Sequence, residues 1–209
     1  MILYLVRHGE TAANRDGLGL GRADLPLTAR GEQQAAALAR RFAGEPLDRI
    51  LSSPLDRCRT TASYLADSRG LVVEHRDELL ELDVGHTEGM TFPAMSTRFS
   101  DFLAAWSGPE GHTTPMPGGE SIEDLHRRLA PLLEELRAGG RARVALVTHN
   151  FVIRVALCHL LGASLDRFRS FAVDLGSVTT VNIRDGRAII RSLNDCCHLS
   201  GLESSDPRA

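Results

Sequence analysis

Apolar residues follow two different periods along this chain, and the switches between them lay out its elements. Ile2-Leu3-Tyr4-Leu5-Val6 is a continuous apolar run that empties into Arg7-His8-Gly9-Glu10-Thr11, the pattern of a strand buried on both faces. Thr28 reads as the N-cap of a helix whose Ala35, Leu38, Ala39 and Phe42 keep i, i+3, i+4, i+7 spacing, with Gly44 and Pro46 as stops. Arg49-Ile50-Leu51 predicts a short strand leading into Ser52-Ser53-Pro54, and Pro54 suits the first turn of a second helix running to about Ala66. Leu71-Val72-Val73 predicts a third strand. Ser121 caps a long helix with Ile122, Leu125, Leu129, Leu132 and Leu136 on one side, and Gly139-Gly140 follows it. Val144-Ala145-Leu146-Val147 predicts a strand into Thr148-His149-Asn150 and a helix to Leu161. Val178–Ile183 and Ala188–Leu193 around Asp185-Gly186 predict a closing hairpin.

Between Glu78 and Gly119 the pattern is irregular, with two short helices expected around Pro93–Phe99 and Ser100–Trp106. A stretch of that kind is uncommon unless it works as a lid or specificity cap. Strands alternating with helices predict a single α/β domain over residues 1–202: three layers, a mostly parallel central sheet, and helices on both faces. Residues 78–119 form its lid and 203–209 a flexible polar tail.

With 209 residues, 43 % apolar and 24 % charged, the composition is that of an ordinary globular protein. A net charge of −3 gives no electrostatic case for nucleic acid or an anionic membrane. Apolar runs stay far below the ~20 residues that span a bilayer. The first strand begins at once, leaving no room for a signal peptide, so a cytoplasmic protein is expected. The cysteines Cys58, Cys158, Cys196 and Cys197 have neither disulfide-framework nor zinc-knuckle spacing. In a strand Cys196 and Cys197 point to opposite faces, which argues against a shared metal with His198 and for reduced thiols.

Three predicted strand ends carry chemistry: Arg7-His8, Ser53-Pro54-Leu55-Asp56-Arg57 and Thr148-His149. A parallel sheet gathers such ends at one edge. The loop Leu80-Glu81-Leu82-Asp83-Val84-Gly85 can hang a carboxylate over that edge. Two imidazoles, two guanidiniums and a carboxylate suit attack on a phosphate monoester. Spacing alone does not choose between Glu81 and Asp83.

Taken in order, R-H-G-E-T, Asp24-Leu25-Pro26-Leu27-Thr28 with Gly31 and Gln34, S-S-P-L-x-R with Thr61-Ala62, L-x-E-x-x-x-G with Glu88-Gly89, Pro117-Gly118-Gly119-Glu120-Ser121 and the final T-H resemble the histidine phosphatase superfamily, also called phosphoglycerate-mutase-like proteins. The likeness spans nearly the whole chain. It implies that His8 is a nucleophile forming a phosphohistidine, and that Arg7 and Arg57 clamp the phosphate. His149 would stabilise the transferring group, and Glu81 rather than Asp83 would be the acid/base. Asn14 aligns with an asparagine that reaches the phosphate; as a residue of Asn14-Arg15-Asp16-Gly17 it also reads as a plain turn former. The chemistry implied is metal-independent hydrolysis of a small phosphomonoester, with no cofactor, no nucleic acid or membrane partner, and a homodimer left open.

Two other functions compete. A cofactor-dependent phosphoglycerate mutase of this fold carries longer insertions after the acid/base segment and an Arg-rich continuation of it, whereas here Glu81 is followed by Leu82-Asp83-Val84-Gly85 and the insertion is short; a silent binding member would have lost a catalytic His or Arg. Leu20, Thr87 and Asn150 depart from the family pattern and are expected at the rim. His86 is read as either the pocket mouth or an exposed loop, His112 and His126 as surface residues, and Arg59 and Arg154 as surface or packing positions. The run from Phe168-Arg169 to Cys197-His198-Leu199 is similar to metal-independent phosphoserine phosphatases, although those tend to carry His before Gly85. Phosphoserine, α-ribazole phosphate, sugar phosphates and phosphoglycerate stay open as substrates.

Overall fold

The computed structural model describes residues 1–202 apart from Ser68 and Arg141. Its elements run β1 (Ile2–Arg7), α1 (Ala12–Arg15), α2 (Ala29–Arg41), β2 (Arg49–Ser52), α3 (Asp56–Asp67), β3 (Val73–His75), α4 (Phe92–Arg98), α5 (Ser100–Ser107), α6 (Ile122–Ala138), β4 (Arg143–Thr148), α7 (Asn150–Leu161), β5 (Val178–Arg184) and β6 (Arg187–Asp195). Short 3-10 turns at Asp77–Leu79, Gly85–Thr87, Leu165–Ser170 and Cys197–Leu199 punctuate the connections.

One six-stranded sheet has the order β3-β2-β4-β1-β5-β6. The first four are parallel neighbours, while β5 runs antiparallel to β1 and β6 antiparallel to β5. The apolar runs are continuous because both faces of the sheet are covered. Leu3 and Leu5 of β1 and Val144 and Leu146 of β4 pack with Leu125, Leu129 and Leu132 of α6 and with Val152 and Val155 of α7. The alternate residues Tyr4, Val6, Ala145 and Val147 pack on the opposite face against Leu38 of α2, its C-cap Phe42, and Cys58 and Leu65 of α3. Period-two strands between two helical layers thus account for the three-layer architecture.

The helix after β1 and the helix after the adjacent β4 leave to opposite faces. A crevice therefore opens at the carboxyl ends of these neighbouring strands, the place where an open α/β sheet takes its ligand. Gly9 is required there, because a Cβ on it would lie 2.5 Å from the Gly31 oxygen at the start of α2.

Two local expectations are corrected. The third strand lies at Val73–His75 rather than Leu71–Val73, pairing Val73 with Ile50 and His75 with Ser52. The chain leaves α3 through Gly70 at φ +64°, so pairing starts late and Val72 is left 82 % exposed. The turn around Asn14 is helical: Thr11 caps α1 in a reciprocal box with Asn14, a unit too short to show a hydrophobic period. The proposed tail, 203–209, lies outside the described residues. No helix among the described residues is long and apolar enough to cross a membrane.

Candidate active site

His8 sits just past β1, where the main chain holds it on two sides. Its N–H donates to the Thr148 oxygen at 3.0 Å, and its own oxygen accepts from Gly176 N–H at 3.1 Å. Nδ1 lies 2.7 Å from the Gly9 oxygen, which places the proton on Nδ1 and leaves the Nε2 lone pair bare. The ring is buried, and burial, then Arg57 and Arg7, push its pKa well below the ordinary histidine value. A neutral imidazole beside two cations is the form in which nitrogen can attack phosphorus.

His149 caps α7 after β4, and its ring meets His8 edge-on with centroids 5.2 Å apart. Its Nε2 shares a 2.8 Å hydrogen bond with Ser53 Oγ at the end of β2, and Cys58 Sγ lies 3.5 Å from the same nitrogen. Burial, then Arg57, hold this histidine well below its ordinary value as well.

Arg57 is wholly buried. Its Nη1 donates to Ala23 O at 2.8 Å and its Nη2 to Gly21 O at 2.7 Å, while Nε has no partner. Arg7 likewise donates through Nη1 to Val173 O at 2.6 Å and keeps an unpartnered buried Nε. Burial lowers the Arg7 pKa to about 10, still cationic at neutrality. Two orphaned buried N–H donors on guanidiniums are each a cost until an acceptor arrives, the chemistry that suits an anion.

Glu81 and Asp83 diverge. The Glu81 carboxylate is buried, accepting from Leu82 N–H at 2.8 Å and from Phe151 N–H, in the first turn of α7, at 3.3 Å. Burial raises its pKa, so it keeps a proton above the usual carboxylate range. Asp83 instead turns toward Arg22, 3.6 Å away, and accepts from Gly85 N–H at 2.9 Å. Asn14 is half spent: Oδ1 accepts from Thr11 N–H at 3.1 Å and Thr11 Oγ–H at 2.9 Å, with its amide N–H groups left over.

The strand ends thus bring Arg7, His8, Arg57, His149 and Glu81 together, with Asn14 on the adjoining turn. Several motif residues support the site from outside it. Glu88 accepts from the N–H groups of Gly21, Arg22 and Ala23 at 2.8, 2.8 and 3.1 Å, gripping the segment whose carbonyls hold Arg57. Glu120 accepts from Arg22 Nη2 at 2.8 Å and from Arg128 Nε at 3.1 Å. Thr61 Oγ accepts from Gly9 N–H at 3.2 Å, and Gln34 accepts from Glu10 N–H at 2.8 Å. Motif spacing flagged Gln34, Thr61, Glu88 and Glu120; Ser53 as a partner of His149 had no signal beyond its place in S-S-P.

Other positions divide between those that meet expectation and those that do not. His112 and His126 are half-buried rather than surface residues, and His126 Nε2 meets His159 Nδ1 at 3.1 Å. Thr87 lies buried under Val84, so it does not form the rim. His86 is exposed and stacks over Gly118. Arg59 is solvated beside Asp56, whereas Arg154 is half-buried. All four cysteines are unpaired, and no group of three metal-binding side chains occurs among the described residues. A separate open groove of about 780 Å³, lined by Met1, Asp48, Arg143 and Asp185, lies at the opposite edge of the sheet and holds none of these residues.

A doubly covered α/β sheet whose strand ends converge two neutral imidazoles, two arginines and a protonatable carboxylate defines a phosphomonoester hydrolase. The chain belongs to the histidine phosphatase superfamily (branch 1), whose family model matches residues 3–196. Phosphoserine phosphatase 1 of Hydrogenobacter thermophilus is 35 % identical, over 94 % of this chain and 93 % of that protein. The adenosylcobalamin/alpha-ribazole phosphatase of Escherichia coli is 32 % identical over 93 % of this chain and 96 % of its own. The structure of mycobacterial glucosyl-3-phosphoglycerate phosphatase with VO3 superposes at a TM-score of 0.85 with 29 % identity, covering 92 % of this chain and 98 % of that one.

Proposed function

We propose that this protein hydrolyses a small phosphomonoester through a phosphohistidine on His8. The phosphate oxygens take the orphaned N–H donors of Arg7 and Arg57, and Asn14 adds its amide. His8 Nε2 attacks phosphorus while the bond to the leaving oxygen breaks, and Glu81 gives that oxygen its proton. The carboxylate then takes a proton from water, which attacks the phosphohistidine and releases inorganic phosphate and a neutral His8. His149 stabilises charge on the phosphoryl group in both steps. The single observation that carries this reading is the His8 tautomer: Nδ1 is committed to the Gly9 oxygen, which leaves Nε2 as the lone-pair nitrogen.

Residues 78–119, which include the turn at Gly85–Thr87 and the helices α4 and α5, act as the specificity lid beside this edge. The named relatives act on phosphoserine, on α-ribazole phosphate or on glucosyl-3-phosphoglycerate, so the physiological substrate is expected among such small esters.

The test is trapping. Brief incubation with labelled phosphomonoester and a quench should leave an acid-labile, alkali-stable label on the N-terminal peptide. His8→Ala should abolish both label and turnover, and Arg57→Ala should lose on the order of 10²–10³ in kcat, the scale of one preorganised charge-stabilising group. Label on the His149 peptide would overturn the assignment. Return of the label to substrate in place of phosphate release would mark a mutase.

A further inference from the structure

Arg154 has no role in the chemistry above, yet it stands beside it. In α7 it lies one turn beyond Phe151, whose main-chain N–H holds the Glu81 carboxylate at the start of the helix, and its side chain shares a helix face with that of Phe151. That face is half-buried, whereas Val152, Ile153 and Val155 between and beyond them are buried in the core. The Arg154 Nε is buried without a partner, and its guanidinium makes no hydrogen bond or ion pair with any described residue. The carboxylates of Glu81 and Asp174 attract it and the guanidiniums of Arg7 and Arg169 oppose it, while Arg7 senses the same two carboxylates.

Asp174 belongs to the loop before β5, which also carries the Val173 oxygen that orients Arg7 and the Gly176 N–H that holds His8. It is fixed from β6 by Asn194. The Asp174 N–H donates to Asn194 Oδ1 at 2.6 Å, and Asp174 Oδ2 accepts from Asn194 Nδ2 at 2.7 Å. Asn194 does this from the left-handed region, at φ +52°, a conformation tolerated by Asn and avoided by most other residues. One oxygen of the Asp174 carboxylate remains without a protein partner among the described residues.

A phosphate dianion is already served by Arg7 and Arg57. A third guanidinium, half-desolvated and unpaired, is a standing cost unless a second anionic group meets it. The leaving oxygen must face Glu81, so whatever is attached to that oxygen passes along the first turns of α7 toward Arg154. The planar fork of an arginine matches a carboxylate in two parallel hydrogen bonds. The neighbouring Asp174 then suits a cationic group one carbon away.

We propose that Arg154 and Asp174 form a leaving-group subsite that takes the α-carboxylate and the α-ammonium of a phosphorylated amino acid. The proposal rests on the catalytic reading above and adds the substrate class to it.

Steady-state rates of the full-length protein on O-phospho-L-serine, 3-phosphoglycerate, glycerol phosphate and p-nitrophenyl phosphate test it. The unaltered protein should prefer phosphoserine to glycerol phosphate. Arg154→Ala should lower kcat/KM for phosphoserine, mainly through KM, about tenfold more than for p-nitrophenyl phosphate, the scale of one charge-assisted pair. Arg154→Lys should recover only part of this. Asp174→Asn should erase the preference for phosphoserine over 3-phosphoglycerate. Equal losses on the ester with and without a carboxylate, or no preference for phosphoserine over glycerol phosphate, would overturn the subsite while p-nitrophenyl phosphate hydrolysis left the catalytic reading standing. No phosphate release from any of the four esters would sink both.

Discussion

The guanidinium of Arg128, on α6, donates to the main-chain oxygen of Glu81 at 2.9 Å. The same nitrogen reaches Leu80 O at 2.7 Å, and Nη1 reaches Glu78 O at 2.8 Å. One side chain thus grips three carbonyls of the loop that presents Glu81, and Glu120 steadies it from behind. Arg22 touches the same Glu120 while its own N–H is held by Glu88, so the segment that carries Arg57's carbonyl partners and the loop that carries Glu81 are mechanically joined.

Arg128→Ala should therefore misplace the acid without removing it. We expect kcat on an alkyl phosphomonoester to fall about 10–10²-fold, the effect of a displacement near 1 Å. The loss on p-nitrophenyl phosphate should be smaller, since that leaving group needs little protonation. Arg128→Lys should not restore the rate, because an ammonium cannot span the three carbonyls. Equal losses on the two substrates would mark Arg128 as merely structural.

Glu81 and Asp83 separate by leaving group. Glu81→Gln should cripple alkyl phosphate hydrolysis and, with p-nitrophenyl phosphate, show a burst followed by slow turnover as the phosphoenzyme waits for a base to activate water. Asp83→Asn should show neither effect, since its carboxylate is engaged with Arg22 and the Gly85 turn. Stopped-flow traces of the two variants decide it; a burst in Asp83→Asn alone would move the acid role to Asp83.

The pH profile has a definite sign. His8 must be neutral to attack, and its pKa is held below the ordinary value, first by burial and then by Arg57. The acid limb of kcat/KM should accordingly lie below pH ~6.5, the ordinary histidine value. Glu81 must be protonated to act first as an acid, and burial raises its pKa, which carries the basic limb above the usual carboxylate range. Removing the Arg57 charge should raise the His8 pKa and move the acid limb upward. NMR titration of the His8 ring in Arg57→Ala measures this directly, and a downward shift would contradict the electrostatic account.

Charge neutralisation at this site is assigned to arginines, so hydrolysis should survive EDTA without loss. Vanadate should compete with substrate by occupying the same site. Loss of activity in chelator that Mg²⁺ restores would refute the assignment of that charge to Arg7 and Arg57.

Helix α6, which carries Arg128, begins in a reciprocal capping box. Ser121 Oγ accepts from Asp124 N–H at 3.0 Å, and Asp124 Oδ2 accepts from Ser121 N–H at 3.0 Å. Ser121→Ala should cost about 1 kcal/mol and lower Tm by roughly 2–4 °C. The Asp124 carboxylate, hydrogen-bonded to Ser121, is lowered from 3.8 to about 2. A depressed carboxylate stabilises the fold above its unfolded value, so that contribution should be full above pH 3.8 and fade as pH falls to about 2. Thermal melts of the protein and of Ser121→Ala across that window give the check.

The sequence by itself determined the layers, the strand ends and the residue types that meet there. Apolar runs such as Leu3–Val6 and Val144–Val147 need cover on both faces, and strands that alternate with helices bring Arg7-His8, Ser53 and Thr148-His149 to one edge whatever the details. What it left undecided depends on direction and distance across the fold. Glu81 and Asp83 are two residues apart on a loop, and only the packing of α7 against one and Arg22 against the other sends them different ways. The start of β3 was set by the Gly70 turn and by pairing to β2, interactions that Leu71-Val72-Val73 does not encode locally. Arg154 looked like a surface or packing residue because helical periodicity gives a face but not its neighbours. The tertiary structure alone seats the Glu81 carboxylate, distant in sequence, on the Phe151 N–H one turn before this arginine.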